Sequence, residues 1–203
     1  MGRQVYDAVV IGAGIVGSAL AYFLARAGID VCVVDKGVIG GESSGRCCGG
    51  IGQSHRAPED LRLAMRAVQL WQQISAEAEI DIEYRQQGNV RLAWNEDHAA
   101  NLKAMVERER AGGLECYFLD RAETRDLVPF VTDAYLGSVY CPSDGSAEPY
   151  LSTFAVAQAA TRAGKGGRGA VFCEHTEVTG IRVVNGKVAA VLTTSGPIAT
   201  SVV

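Results

Sequence analysis

The part of the sequence that most restricts the fold is residues 6–37, which read YDAVVIGAGIVGSALAYFLARAGIDVCVVDKG. The apolar run at residues 9–11 is typical of a strand that is buried on both faces. Residues 15–27 carry apolar and small side chains at helical spacing, and Gly28 supplies a C-terminal stop. A second apolar run at residues 31–34 predicts another strand. Strand, helix and strand in this order are typical of a βαβ unit, so we expect a parallel sheet in an α/β fold.

Three glycines, Gly12, Gly14 and Gly17, stand between the first strand and the helix in the spacing GxGxxG. This spacing provides a tight turn, a close approach of the backbone to a pyrophosphate, and close contact between helix and strand. Asp35 directly follows the second strand, where a carboxylate accepts hydrogen bonds from ribose hydroxyls and disfavours a 2′-phosphate. The pattern predicts a dinucleotide site for FAD or NAD, with an ordinary βαβ unit as the alternative.

The next segment, residues 41–56, reads GESSGRCCGGIGQSHR and is rich in glycine and polar residues. An NAD domain would place another βα unit soon after Asp35, whereas this chain continues with a long loop. Such a loop can lie along an extended cofactor, with Ser43, Ser44 and Arg46 near its pyrophosphate. Its glycines would let the backbone approach a flat ring closely. The segment therefore favours FAD, and a mobile surface loop is the alternative.

Together, these two segments resemble the D-amino-acid oxidase superfamily of FAD enzymes. The resemblance is strongest to sarcosine oxidase β subunits, dye-linked proline dehydrogenases and opine oxidases. Four later stretches follow in the family's usual order: QQGNVRLAW, ETRDLVPFV, GSVYCPSDGSAEPYLSTFAVAQAATRAG and HTEVTGIRVVNGKVAAVLTTSGPI. The resemblance covers essentially the whole chain. It implies oxidation of the C–N bond of a secondary amine or amino acid to an imine, with FAD as cofactor.

The resemblance also implies which residues contact FAD. They are Gly12, Ala13, Gly14, Ile15 and Gly17 at the ADP half, Asp35 and Lys36 at the ribose, Ser43, Ser44, Gly45 and Arg46 at the pyrophosphate, Cys47, Gly49, Gly50 and Ile51 beside the isoalloxazine, and the backbone of Val178 at adenine. No catalytic residue is identified. Arg56 is the nearest candidate for binding a substrate carboxylate, although many relatives carry arginine where this chain has Gly52. Alternatively, Arg56 only caps or solvates the next helix.

The remaining sequence predicts further helices and strands. Helices are expected at 58–78, 97–111 and 151–163. Residues 82–94 predict a strand, a glycine turn and a second strand, and the pair Asn185-Gly186 predicts a hairpin. The sequence GKGGRG at 164–169 is expected to be a flexible insertion before the next strand.

These elements predict two interleaved domains. Residues 1–60 and 145–203 would form a discontinuous, Rossmann-like FAD-binding domain, and residues 61–144 would begin an α+β substrate-binding domain. Family members continue after a strand that resembles the final SVV of this chain. We therefore expect a truncated chain that lacks roughly half of a complete member, including the region that completes the substrate pocket.

Composition excludes several other classes. The net charge is −4 and the arginines are interspersed with acids, which disfavours a nucleic-acid partner. No segment has the roughly 20 apolar residues of a membrane span, so we expect a cytoplasmic protein. Of six cysteines, all expected to be free thiols, only Cys47 and Cys48 lie among polar residues, and adjacent cysteines lack the spacing of a metal site.

Three hypotheses about function follow. The first is an FAD-dependent oxidoreductase, or its β subunit, that acts on a small amine or amino acid and passes electrons to oxygen, a dye-like acceptor or a partner subunit. The second is a non-catalytic, truncated FAD-binding fragment or subunit. The third is an NAD-dependent dehydrogenase, which the long loop after Asp35 opposes.

Overall fold

The structure is a computed structural model that describes residues 5–164 and 169–203. Residues 165–168 of the expected insertion lie outside the described residues. In chain order the described elements are β1 (Ala8–Ile11), α1 (Ile15–Arg26), β2 (Val31–Val34), a short 3₁₀ turn (Ser43–Gly45), β3 (Gly50–Ile51), α2 (Leu61–Ala78), β4 (Asn89–Ala93), α3 (Glu96–Ala111), β5 (Tyr117–Leu119), α4 (Arg121–Leu127), β6 (Gly137–Cys141), β7 (Gly145–Ser146), α5 (Pro149–Arg162), β8 (Val171–Cys173), β9 (Val178–Val184), β10 (Lys187–Thr193) and β11 (Gly196–Ala199).

The chain divides into two compact units. Unit 1 contains the described residues of Met1–Cys48, Ile74–Ile82 and Glu148–Val203. Unit 2 contains Gly49–Gln73 and Glu83–Ala147. In the described part of the chain, none of the helices has the length and apolar character that a membrane span requires.

A parallel sheet in the order β1-β2-β8 forms the centre of unit 1. All four residues of β2 are fully buried, as expected for a strand covered on both faces. Helix α1 packs against α5, and its small buried residues Ser18, Ala21 and Ala25 permit a close approach. The predicted α/β fold with a Rossmann-like βαβ unit is confirmed.

A second sheet of unit 1 is antiparallel, in the order β11-β10-β9. Strands β9 and β10 are joined by Asn185 and Gly186, whose φ angles are 51° and 75°. Two consecutive positive φ angles are typical of a type I′ turn, which matches the twist of the flanking strands. The predicted hairpin is therefore present, and Val191 of β10 lies in a core with Val9 and Cys32.

Unit 2 contains an antiparallel sheet in the order β4-β6-β5, and helix α3 packs against it. Its core includes Leu102 and Met105 of α3 together with Ala93, Cys116 and Val139. A two-stranded ladder, β3-β7, joins Gly50 to Ser146 and Ile51 to Gly145. This ladder fixes the start of the segment that leads to Arg56.

Three predictions of local structure need correction. Residues 82–86 do not form a strand, because Glu83 has a φ angle of 54° and Arg85 makes only an isolated bridge to Ser146. Helix α2 begins at Leu61 rather than at residue 58, since residues 58–60 form a turn that Asp60 N closes on Ala57 O at 2.9 Å. Helix α5 begins two residues earlier than predicted, at Pro149, a residue favoured in the first helical turn.

Candidate functional site

The turn after β1 has glycine at the three predicted positions, for different structural reasons. Gly12 has a φ angle of 103°, which side chains disfavour. A Cβ at Gly17 would overlap the carbonyl oxygen of Gly12, and a Cβ at Gly14 would lie 2.9 Å from Ser44 Oγ. Gly12 therefore permits the positive φ angle of the turn. Gly14 and Gly17 instead allow the backbone to lie close to Ser44 and to the carbonyl oxygen of Gly12.

The N-terminus of α1 faces the loop that follows β2. Gly14 is the N-cap and provides no side chain to bind the first amides of the helix. Instead, Ile15 N donates a hydrogen bond of 3.0 Å to the hydroxyl oxygen of Ser44. A helix N-terminus attracts oxygen-rich anions because its first N–H groups have no partner in the helix. Ser44 thus puts an oxygen where a phosphate oxygen would be favoured.

Asp35 connects the turns that follow β1 and β2. Its Oδ2 accepts a hydrogen bond from Ala13 N at 2.7 Å, and its Oδ1 accepts one from Gly37 N at 2.8 Å. A carboxylate has about four acceptor positions, so both oxygens can accept further hydrogen bonds. Asp35 is half-buried and lines the cleft described next, whereas Lys36 beside it is exposed and is not among the lining residues.

A cleft of about 400 Å³ lies in unit 1 beyond the carboxyl ends of β1 and β2. It brings together five predicted residues: Gly14, Asp35, Ser43, Ser44 and Arg46. The location agrees with the general rule that ligands of open α/β sheets bind outside the carboxyl ends of the strands. Arg46 is exposed, and its Nη1 lies 3.7 Å from Glu42 Oε2.

Sequence reasoning missed part of the cleft wall. The additional lining residues are Gly37, Val38, Gly40, Gly41, Glu42 and His175. His175 has a positive φ angle of 52°, and its N–H donates to Gly37 O at 2.9 Å. His175 lies two positions beyond β8, the third strand of the parallel sheet. A prediction that β8 pairs with β2 would therefore have placed His175 near the cleft.

The other predicted residues lie outside this cleft. Gly12 and Gly17 line an apolar groove beside β1, and Val178 is the first residue of β9 and half-buried. Cys47 is exposed, and its thiol lies 3.7 Å from Ser44 O. Gly49, Gly50 and Ile51 belong to unit 2, and Gly50 and Ile51 form β3 of the β3-β7 ladder.

Unit 2 has a pocket of its own, about 460 Å³ in volume. Gly50, Ile51 and Gly52 form one side, and Arg56 and Asp60 contribute charged groups. Residues of α2 form an apolar wall, made by Leu63, Ala64, Ala67, Val68 and Trp71. The guanidinium Nη2 of Arg56 donates to Gly52 O at 3.1 Å, which directs Arg56 back along the segment 52–56.

All six cysteines are free. Burial raises the pKa of Cys32 and of Cys116 to about 12, and that of Cys141 to about 11. These thiols stay protonated at neutral pH and are poor nucleophiles. Cys47 and Cys48, by contrast, are exposed.

The βαβ unit, its glycine turn and the cleft define a Rossmann-like dinucleotide-binding protein. The sequence profile of the DAO family, described as FAD dependent oxidoreductase, matches residues 7–203. The chain therefore belongs to this family. The resemblance found in the sequence and the prediction of FAD as the cofactor are both confirmed.

Known proteins similar to this chain include amine and amino-acid enzymes. Sarcosine oxidase subunit beta from Rhodobacter capsulatus is 28% identical over 203 aligned residues, which cover 97% of this chain and 48% of that protein. The crystal structure of L-proline dehydrogenase from P. horikoshii has a TM-score of 0.90 and 30% identity. The aligned region covers 99% of this chain and 52% of the proline dehydrogenase chain. Glycine oxidase from Bacillus cereus has a TM-score of 0.83 and 32% identity, with coverages of 97% and 54%. The chain thus spans about half the length of these relatives.

Proposed function

We propose that the protein binds FAD in unit 1 and takes part in the oxidation of the C–N bond of a secondary amine or amino acid to an imine. The observation that carries the proposal is the cleft of unit 1. There Gly14, Asp35, Ser44 and Arg46 meet beside the N-terminus of α1, in a chain of the FAD dependent oxidoreductase family. FAD, when bound, supplies the electron acceptor for this chemistry.

The residues present fit the ADP half of this cofactor. Gly12 permits the positive φ angle of the turn, and an added Cβ at Gly14 or Gly17 would crowd Ser44 Oγ or the carbonyl oxygen of Gly12, so the glycines let the backbone approach a pyrophosphate. Asp35 retains acceptor positions for ribose hydroxyls, and Arg46 provides a cation for phosphate oxygens. His175 and the backbone of Val178 are proposed contacts on the adenosine side.

The ring of the cofactor would lie beside Cys47, Gly49, Gly50 and Ile51. The absence of a Cβ at Gly49 and Gly50 and the exposure of Gly50 support this part of the proposal. The FAD-binding part, predicted at residues 1–60 and 145–203, would contain most of unit 1. The beginning of the substrate-binding part, predicted at 61–144, would contain most of unit 2.

The pocket of unit 2 supports a substrate that carries a carboxylate next to a small apolar group. Arg56 would bind the carboxylate, because a guanidinium presents paired donors to two oxygens. The apolar wall of α2, including Leu63 and Trp71, would contact the carbon chain. Sarcosine and proline, which occur in the names of two similar proteins, have this chemistry.

Electron transfer to a partner subunit and a cytoplasmic location are further parts of the proposal. One similar protein is named as a subunit of its enzyme, which supports a partner. Six free cysteines are typical of a reducing compartment and support the cytoplasm.

The proposal is tested by FAD titration of the purified chain, followed by turnover of sarcosine and proline with a dye acceptor. Gly14→Val should weaken FAD binding about tenfold or more, which corresponds to about 1.4 kcal/mol, because the new side chain would meet Ser44 Oγ. Gly180→Val is the matched control, since a Cβ there meets only Leu192 Cδ1 at 3.8 Å. Equal FAD affinity in the wild type and Gly14→Val would refute the assigned cleft. FAD retention without turnover would favour a non-catalytic FAD-binding subunit.

A further inference from the structure

Two buried carboxylates hold the short segment 52–56, here called the strap. Asp144 Oδ1 accepts a hydrogen bond from Gln53 N at 2.6 Å. Glu109 Oε1 accepts one from His55 N, and Glu109 Oε2 accepts one from Ser54 Oγ at 2.8 Å. Glu109 and Asp144 are each only 3% exposed. Both belong to unit 2, as does the strap.

Burial of these carboxylates needs a physical explanation. A buried charge is costly unless hydrogen bonds replace the water that it loses. Here the strap supplies those donors, through two backbone amides, the Ser54 hydroxyl and the side-chain amide of Gln53. An acid in a core position is otherwise unfavourable. The burial of Glu109 and Asp144 is therefore compatible only with the conformation in which the strap donates these hydrogen bonds.

The backbone of the strap is itself strained. His55 is a non-glycine residue with a φ angle of 65°, a region that costs conformational energy. Such a residue persists only where its surroundings fix it. The carboxylate of Glu109 binds the amide of this same residue, and His55 Nδ1 lies 3.1 Å from Met105 Sδ on the same helix.

Arg56 follows this strained residue directly and lines the pocket of unit 2 with Gly50 and Ile51. The path of the backbone at His55 therefore decides where the guanidinium of Arg56 can lie. We infer that Glu109 is a positioning residue for Arg56, with Asp144 as the second anchor of the strap. The inference rests on the proposed function, in which Arg56 binds the substrate carboxylate.

The first test measures recognition of a carboxylate by the FAD-loaded chain. Acetate is titrated while the absorption spectrum of bound FAD is recorded, for the wild type, Glu109→Ala, Glu109→Gln, Arg56→Ala and the double variant with both alanines. Glu109→Ala should weaken acetate binding about tenfold, the value of one net hydrogen bond, with FAD affinity unchanged. Glu109→Gln should restore binding, because its oxygen accepts from His55 N and the Ser54 hydroxyl can accept from its NH₂ group. The double variant should bind acetate no more weakly than Arg56→Ala.

Three outcomes would overturn the inference: acetate affinity in Glu109→Ala equal to the wild type, additive losses in the double variant, or a loss in Glu109→Gln as large as that in Glu109→Ala. Additivity would show that Glu109 does not act through Arg56.

A second test separates this inference from the proposed function. Hydrogen exchange of the His55 amide is measured by NMR in the FAD-free chain, with Glu107→Ala as control, because Glu107 is an exposed residue of the same helix. Glu109→Ala should accelerate exchange about tenfold, since the amide loses its acceptor, and Glu107→Ala should not. If exchange accelerates while Arg56→Ala leaves acetate binding unchanged, only the role of Arg56 in the proposed function fails. If exchange is unchanged in Glu109→Ala, the strap is not held by Glu109.

Discussion

The cleft of unit 1 and the strap of unit 2 are held together in different ways. In the cleft, the central residues lie within residues 12–46 and are placed by strand ends, glycines and the start of one helix. In the strap, the decisive contacts come from Glu109 and Asp144, which are distant in the sequence. The cleft therefore depends on backbone geometry and on side-chain acceptors that lie close to it in the sequence, Asp35 and Ser44. The strap depends on buried side-chain acceptors from distant parts of the chain. Substitutions in the two regions should accordingly differ in what they damage.

The largest effect is expected at Gly17, in the glycine turn beside the cleft, where an added Cβ would overlap the backbone. Gly17→Val would overlap the carbonyl oxygen of Gly12 and crowd Val10 Cγ1. We expect the free energy of unfolding to fall by about 3 kcal/mol, as for severe overpacking, and FAD binding to be lost. Urea denaturation and FAD titration measure both. Gly180→Val again serves as control. A Gly17→Val chain of normal stability and FAD affinity would mean that the turn adapts easily, and the contrast with the strap would disappear.

This contrast explains which features could be predicted from the sequence. The βαβ unit and the glycine turn were predictable because residues 6–37 combine strand, helix and glycine signals that are local in the chain. The hairpin at Asn185 and Gly186 was predictable for the same reason, since its turn type follows from two residues.

Non-local contacts were not predictable. A strand was expected at residues 82–86, but backbone hydrogen bonds between Arg85 and Ser146 direct this segment to β7 instead. His175 enters the cleft only because β8 pairs with β2 in parallel, a pairing that no local pattern specifies. Glu109 lies on the buried face of α3 with Leu102 and Met105, a spacing that indicates a buried acid, but only the fold brings it to His55.

An intermediate effect is expected at the second anchor of the strap. Asp144→Ala removes the acceptor of Gln53 N inside unit 2 and leaves this amide buried without a partner. The free energy of unfolding should fall by about 2 kcal/mol, the cost of an unsatisfied buried group. FAD affinity should fall less than in Gly14→Val, because the cleft residues proposed to bind the ADP half belong to unit 1.

The same denaturation and titration experiments check this prediction, with Asp126→Ala as the control on an exposed acid of unit 2. A loss of FAD affinity in Asp144→Ala that equals the loss in Gly14→Val would show that the cleft depends on the strap. The two regions would then act as one site rather than two.

The smallest effect is expected at Arg46, the exposed edge of the cleft. Arg46→Ala removes a cation that lies 3.7 Å from Glu42 in the structure and that is proposed to bind the pyrophosphate. Because the side chain is largely exposed, FAD affinity should fall only about threefold to fivefold at low salt, the range of exposed ion pairs. Glu42→Ala is the informative counterpart, since it removes the carboxylate that competes for Arg46 and should leave FAD affinity equal or higher.

At about 1 M salt, where charges are screened beyond about 3 Å, the difference between the wild type and Arg46→Ala should shrink. A difference that persists at high salt would mean that Arg46 is more enclosed around the cofactor than its exposure in the structure indicates. The edge of the cleft at Arg46 would then depend on a fixed side chain, as the strap depends on Glu109 and Asp144. Only the glycine turn would still differ from the strap in how it is held.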